Sequence, residues 1–228
     1  MKFKSNMLAQ ASGSLAGSVF SHNKGGMYTR NRSIPTNPSS AQQQVVRNAV
    51  GQLAARWGSI LTGAQRSAWQ VYADNVPLVD TLGDSRAVTG QNQYVRSNVP
   101  RIQAGLAGFL DAAPTNYNLG SFTTPVVTFT ASTDLASIAF TNTDPWASAV
   151  GGYMLWWFSR PQSPAINFFK NPFRFAGMIS GAASPPASPQ TIALPYPIVA
   201  GQKVFGYCRV IQVDGRVSTP FRVSGLGV

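Results

Sequence analysis

The sequence contains no glutamate, and its seven acidic residues are all aspartates, at positions 74, 80, 84, 111, 134, 144 and 214. None lies in the first 73 residues, which nonetheless carry eight basic side chains: Lys2, Lys4, Lys24, Arg30, Arg32, Arg47, Arg56 and Arg66. Charged residues make up 11% of the chain, less than half the usual ~25%. A free soluble monomer normally coats itself with Lys, Glu, Asp and Arg. A surface this poor in charge, with 21 Gly, 16 Pro and much Ser, Thr, Asn and Gln, points to cover by partners. The plain alternative is a secreted β protein coated with Ser, Thr and Asn.

Cysteine and histidine are as scarce. The single cysteine, Cys208, excludes an intramolecular disulfide framework. Its surroundings, Val204-Phe-Gly-Tyr-Cys-Arg-Val-Ile, read as a strand, so a buried structural thiol is expected. The single histidine, His22, has no nearby acids with which to complete a triad, and no zinc or iron site with the usual ligands is available. Paired-carboxylate catalysis would require two aspartates to converge. The closest pair, Asp80 and Asp84, sits in Val79-Asp-Thr-Leu-Gly-Asp84, a loop where Asp more often caps or turns. Gly13-Ser-Leu-Ala-Gly17 and Lys24-Gly-Gly26 lack the strand–loop–helix context and the Gly-Lys-Ser/Thr ending of a phosphate loop. No enzyme activity, cofactor or metal is expected.

No run approaches the ~18 apolar residues of a membrane span, so no membrane partner is expected. The start, Met1-Lys-Phe-Lys, mimics the basic region of a signal peptide. Ser5, Asn6, Gln10, Ser12 and Gly13 interrupt any apolar region behind it. A secretory signal is therefore not expected, and synthesis in a cytoplasm is.

What is present is strongly regional. Residues 1–73 carry a formal +8, residues 74–120 carry −1 and residues 121–228 carry +4, for a net +11. A basic excess bears on association with nucleic acid or acidic protein surfaces, not on fold. Residues 1–38 read as an extended basic arm. Leu15-Ala-Gly-Ser-Val-Phe-Ser21 loosely alternates apolar and small residues, Asn23-Lys-Gly-Gly26 signals a turn, and Met27-Tyr-Thr-Arg-Asn-Arg32 follows with strand-tolerant residues. That pattern predicts a hairpin. An isolated hairpin is marginal in water, so it must pack on something. Ile34-Pro-Thr-Asn-Pro38 then enforces an extended segment.

Residues 39–120 read as a helical section, with helix expected over 39–110. Ser40-Ala-Gln-Gln43 fits a capping box. Val46, Val50, Leu53, Ala54 and Trp57 then recur at helical spacing until Gly58. Thr62-Gly-Ala-Gln65 is a second capping box, with Ala68, Trp69, Tyr72 and Ala73 as the apolar face and Pro77 beyond the end. A third helix is expected from Thr89 through Tyr94 and Val95, kinked or divided by Pro100 before Ile102, Leu106 and Phe109. Trp57 and Trp69 are expected to pack inward.

Residues 121–228 change character. Seven strand candidates recur, at 122–130, 135–141, 152–159, 172–179, 190–194, 203–212 and 216–224, separated by Pro/Gly/Asn/Asp/Ser turns. This is the pattern of an antiparallel β-sandwich. The segment Tyr207-Cys-Arg-Val-Ile-Gln-Val-Asp-Gly-Arg-Val-Ser-Thr-Pro resembles the last two strands of a fibronectin type III domain. The fold class expected is thus α+β: arm with hairpin, small helical section, and a fibronectin type III-like sandwich. Tyr153-Met-Leu-Trp-Trp-Phe158 is apolar on both faces. Either it is a central strand covered on both sides, or one face is an interface, and the interface is the favoured expectation.

Residues 12–105 also carry a distinctive string. It runs Ser12-Gly-Ser-x-Ala-Gly17, Ser21-His-Asn-x-Gly-Gly-x-Tyr-x-Arg30, Pro35-x-Asn-Pro38, Gln44-x-x-Arg47 and Trp57-x-x-x-Leu-Thr-x-x-Gln-Arg66. It continues as Ala68-Trp69-x-x-Tyr-Ala73, Thr89-Gly-x-Asn-x-Tyr-Val-Arg96 and Asn98. The string resembles a family of small structural proteins of tailed bacteriophages and prophages. The resemblance implies a virion protein (minor capsid, decoration or head–tail component) made in the bacterial host cytoplasm. Its implied partners are the major capsid or other virion proteins, with many copies or a homo-oligomer in the particle and packaged DNA as a further contact. The arm residues that would bind are Phe20, His22, Lys24, Tyr28, Arg30 and Arg32, joined by Trp156, Phe168 and Phe169 of the sandwich.

Two other functions compete. A nucleic-acid-binding module would use Tyr28 for stacking and Arg30 and Arg32 for phosphates. A tail receptor- or carbohydrate-binding module would use Trp146, Trp156, Trp157, Phe168, Phe169 and Phe173, with Phe168-Phe-Lys-Asn-Pro-Phe173 as an insertable loop.

Overall fold

The computed structural model describes residues 12–23, 26–34, 36–37, 39–79, 84–106, 108–119 and 122–228. The chain divides into two compact units, Met1–Ser40 and Ala41–Val228.

The first unit is a three-stranded antiparallel sheet of β1 (Gly13–Leu15), β2 (Ser18–Asn23) and β3 (Gly26–Asn31), in that order. The expected hairpin is β2–β3, with Phe20 opposite Thr29 and His22 opposite Met27. A second turn at Ala16-Gly17 adds β1, which pairs Leu15 with Ser18 and Gly13 with Phe20. No described residue of this unit is buried.

The second unit begins with α1 (Ala41–Ser59), α2 (Gly63–Asn75) and α3 (Gly90–Gln103). A short ribbon of β4 (Leu78–Val79) and β5 (Ser85–Arg86) lies between α2 and α3. Thr62 caps α2 as expected: its hydroxyl accepts from the Gln65 amide at 3.2 Å, and the Gln65 side chain accepts from the Thr62 amide at 2.8 Å. Thr89 caps α3 through its hydroxyl. The helical core is Leu53, Leu61, Trp69, Tyr72, Val76 and Tyr94, with Trp57 packed against it.

Three expectations fail here. Val50, Ala54 and Ala68 are exposed, and Ala49 lies inside instead, so the buried stripe of α1 is rotated and narrower than the apolar spacing suggests. Of the kink or division expected at Pro100, the division does not occur: α3 runs through it to Gln103. Helix does not extend to residue 110. Beyond Gln103 the chain is irregular, and Asn98 secures it by accepting from the Leu110 amide at 2.8 Å and donating to the Leu110 carbonyl at 3.2 Å. The α2–α3 crossing is tight at Gly90. A Cβ there would stand 2.7 Å from the Gln70 backbone nitrogen, so only glycine fits.

Seven strands then form two antiparallel sheets: β6 (Val126–Thr130), β7 (Leu135–Ala139), β8 (Tyr153–Ser159), β9 (Phe173–Ser180), β10 (Gln190–Ala193), β11 (Lys203–Ile211) and β12 (Phe221–Leu226). The three-stranded sheet has order β10-β7-β6 and the four-stranded sheet order β12-β11-β8-β9. The chain is therefore α+β with a β-sandwich-like arrangement of three plus four strands, as the strand pattern predicts. The last strand starts at Phe221 rather than near 216, because Gln212–Val217 is spent on a turn closed by the Ile211–Val217 bridge. The C-terminus crosses between sheets: the Val228 amide donates to the Phe129 carbonyl at 2.9 Å, and the Ala131 amide donates to the Val228 carbonyl at 2.7 Å.

Strand β8 is central and covered on both sides. Met154, Trp156 and Phe158 point into the sandwich core with Phe129, Ile138, Val204 and Val210. Tyr153 and Leu155 point outward, yet they are buried against Ala104, Ile211 and Val217, with Leu106 beside them. The segment that follows α3 thus covers one end of the outer sheet face. Each such fully buried large apolar side chain contributes roughly 1.5–3 kcal/mol. The expectation of an interface on this strand is corrected: its second apolar face meets the protein's own helical section.

Candidate functional site

The candidate partner-binding residues fall into two regions. In the N-terminal sheet the strand register sorts them by face. Phe20 and His22 share one face with Met27 and Thr29, while Tyr28 and Arg30 share the other with Val19 and Ser21. His22, Arg30 and Arg32 are exposed, and Phe20 and Tyr28 are half-buried. The Arg32 amide donates to the Gly17 carbonyl at 2.8 Å, tying the end of β3 to the turn before β2. Lys24 lies outside the described residues, as does Asp80. The sheet presents β1 and β3 as its two edges, and no carboxylate occurs anywhere in this part of the sequence. Backbone groups along such an edge can receive a further strand.

The second region is the loop from β8 to β9 and the outer sheet face beneath it. Phe168 is 70% exposed. Phe169 is half-buried: its ring stacks on Phe205 at 5.8 Å and meets Phe173 edge-on at 5.2 Å. The Arg222 guanidinium lies 5.6 Å from the Phe168 ring centroid and donates to the Phe169 carbonyl at 3.1 Å, so it clips the loop to β12. A shallow cavity of about 200 Å³ lies beneath Phe168, Phe169, Phe173, Phe205 and Arg222. That is below the roughly 300–1,000 Å³ of small-molecule sites. A second hollow of about 380 Å³, between Phe122 and Phe221, is lined by no titratable side chain.

The other aromatics are engaged within the fold. Trp156 and Trp146 are fully buried, so neither can meet a partner; this corrects the expectation for Trp156. Trp157 stacks on Tyr207 at 4.9 Å with ring planes 7° apart, and Phe175 meets it at 5.5 Å. Burial raises the Tyr207 hydroxyl above its ordinary range, although Arg209 and Arg222 pull it down. With its ring already stacked in the sheet, Trp157 is poorly placed to stack on a sugar or base.

Sequence reasoning did not single out the arginines that the fold gathers. Arg56 reads as the solvated side of a helix, yet it is ion-paired to Asp111 at 2.6 Å and lies 4.4 Å from the centre of the Phe109 ring. Arg101 and Arg216 come from distant positions to the junction of α3 with the sandwich. Only contacts across more than 100 residues, such as Arg101 to the Val213 carbonyl, reveal that grouping. Among the described residues no group of three or more His, Cys, Asp or Glu side chains is placed to hold a metal ion. No helix of the described residues is long and apolar enough to cross a membrane.

No protein-family model, curated protein or solved structure matches this chain.

Proposed function

We propose that this protein is a structural component of a tailed-bacteriophage virion, attached to neighbouring virion proteins through its N-terminal unit. The observation that carries this reading is that the Met1–Ser40 unit forms a three-stranded sheet of which no described residue is buried. Its described residues thus supply no buried core with which to offset the entropy of ordering. It gains stability by lending an edge, or a face, to another chain. The face bearing Phe20, His22 and Met27 offers apolar contact, and the face bearing Tyr28 and Arg30 offers positive charge to an acidic coat-protein surface. The resemblance of residues 12–105 to the phage family supports the virion setting. Phe168, the exposed aromatic of the sandwich, supplies a second contact. Partners on this reading are the major capsid or other virion proteins, in many copies, after synthesis in the host cytoplasm.

The test is a truncation lacking residues 1–40, made during phage assembly. The expected outcome is a soluble, folded protein that is missing from washed particles, while the full chain is retained and cross-links to coat protein. Normal incorporation of the truncation would sink the attachment role. Steeply salt-dependent, sub-micromolar DNA binding by the full chain, with no retention in particles, would move the basic arm to the nucleic-acid reading.

A further inference from the structure

The four-stranded sheet and the loop from β8 to β9 carry six basic side chains, Arg160, Lys170, Arg174, Lys203, Arg209 and Arg222, and no acidic one. The nearest aspartates in sequence are engaged: Asp144 accepts from the Thr123 amide at 2.9 Å, and Asp214 pairs with Arg216 at 2.7 Å. On the outer face of the sheet Arg222 stands opposite Tyr207, and Ser224 opposite Phe205. Phe173 of β9 meets Tyr207 at 5.1 Å with the ring planes 85° apart. Phe169 lies on Phe205 at 5.8 Å, the planes 20° from parallel. Phe168, 70% exposed, completes the four phenylalanines around the cavity of about 200 Å³.

Arg222 stands at the rim of that cavity. Its guanidinium lies 5.6 Å from the Phe168 ring centroid and 5.9 Å from that of Phe173, and Nη1 donates to the Phe169 carbonyl at 3.1 Å. The two rings and the hydrogen bond fix the guanidinium in place. Its Nε–Nη2 edge has no ion pair or hydrogen bond among the described residues. An apolar cavity of ~150 Å³ holds one benzene, so this cavity is the size for a single large apolar side chain. The faces of Phe169 and Phe205 are occupied by each other, so the walls form a socket and not a flat platform for a base or a sugar. Arginine beside clustered aromatic side chains is the composition of an interface centre. The occupant must also bring negative charge, which the carboxylate-free residues 1–73 of this chain cannot.

We propose that this socket binds an acidic peptide segment of a partner protein, with one large apolar side chain among Phe168, Phe169, Phe173 and Phe205 and a neighbouring carboxylate on the Nε–Nη2 edge of Arg222. The planar fork of an arginine matches the two oxygens of a carboxylate. Lys203, whose Nζ lies 5.5 Å from the Phe205 ring centroid, adds positive charge beside the same ring. The socket deepens the second contact assigned to Phe168 above and rests on that reading for its virion setting.

The experiment follows fluorescence polarisation of labelled peptides titrated with the full chain at low salt. The probe is Gly-Ser-Asp-Phe-Asp-Ser-Gly, and the control peptides replace both Asp by Asn, or Phe by Ala. Saturable binding of the probe below about 1 mM, weakened roughly tenfold without Phe and several-fold without Asp, supports the socket. Arg222→Gln should bind the Asp and Asn peptides equally, with Arg222→Lys, which keeps the charge but loses the fork, in between. Phe168→Ala should lose most of the preference for Phe, and thermal melts check that the variants stay folded. No saturation by about 1 mM, or an Asp preference that survives in Arg222→Gln, overturns the proposal. So does tighter, Arg222-dependent binding of an oligothymidylate or a sialylated glycan, which would give the pocket to nucleic acid or to an acidic sugar. The same variants are scored in assembling phage. Lost peptide binding with unchanged particle incorporation removes the virion role from Phe168 while the socket stands, whereas a parent chain that binds no peptide overturns the socket alone.

Discussion

The guanidinium of Arg56 and the carboxylate of Asp111, 55 residues apart, meet at 2.6 Å and close the helical section into one body. The same aspartate accepts from the Tyr94 hydroxyl at 3.2 Å, and its carbonyl accepts from Trp69 Nε1 at 3.0 Å. One residue after α3 thus gathers α1, α2 and α3. Both charged side chains keep about a quarter of their exposure (23% and 27%), so solvent screens part of the attraction.

Replacing Asp111 with Ala should cost about 1–3 kcal/mol, because the fully buried Tyr94 would lose its hydroxyl partner as Arg56 loses its counter-ion. Asp111→Asn should cost less, since the amide can still accept from Tyr94. Arg56→Ala should also cost less than Asp111→Ala, because it leaves the Tyr94 hydroxyl its bond to Asp111. Urea unfolding of the three variants checks the order; equal losses would show that the ion pair, and not Tyr94, dominates.

Trp156 and Phe168 lie on the two sides of the interior boundary. Trp156→Ala should cost about 3–5 kcal/mol or leave the sandwich unfolded, as expected for truncating a fully buried aromatic. Phe168→Ala should leave stability within about 0.5 kcal/mol, because its ring is 70% exposed. Any effect of Phe168→Ala on particle incorporation would then be read as lost binding. Circular dichroism melts and particle pull-downs separate the two.

Gly181 has no space for a side chain. A Cβ would stand 2.0 Å from the Trp146 carbonyl oxygen and 2.7 Å from that of Ala149, and both are backbone atoms that cannot swing aside. The Gly181 amide also donates to the Gly152 carbonyl at 2.8 Å. Gly181→Ala should therefore cost more than about 3 kcal/mol, whereas Gly201→Ala, where nothing lies within 4 Å, should show only the strain of its positive φ of 83°. Thermal melts of the two variants test the contrast.

The Cys208 thiol is buried in the sandwich core, and burial pushes it up to about 12 from its ordinary 9.0. An unfolded chain loses this proton near pH 9 while the folded chain holds it. The stability that the protonated thiol contributes is therefore fully present below pH 9 and is lost as pH rises through about 12. Burial likewise lifts Tyr72 from 10.0 to about 12, which adds to the loss above pH 10. The urea midpoint should fall between pH 9 and 11, and Cys208→Ala should fall less steeply over the same range. Thiol reagents at pH 8 should label Cys208 only at the rate at which the core opens.

Much of the architecture is legible without coordinates. The Thr62–Gln65 and Thr89 caps are local devices, complete within four residues, and α2 and α3 begin where they place them. The strand candidates of the sandwich coincide with β6–β11 to within a few residues, because turn chemistry and period-2 patterning are local as well. The extra strand β1 is not legible: its turn at Ala16-Gly17 holds an alanine at a φ of 50°, a conformation that residue type does not advertise. The depth of α1 is also misread from spacing. Val50 and Ala54 are apolar and in register, yet what buries a helical face is the neighbour it finds, and only Ala49 and Leu53 find one deeply.

The sequence by itself determined the basic, carboxylate-free N-terminal segment, the three helices and the succession of strands, since propensity, capping and periodicity act over a few residues. Only the tertiary structure decided that the double-faced run Tyr153–Phe158 is covered from within, that Trp156 is core and Phe168 is surface, and that Arg56 finds Asp111. Those outcomes depend on which elements pack across the two faces of one sheet, through contacts as far apart in sequence as Arg101 and Val213 or Arg56 and Asp111, which no local pattern encodes.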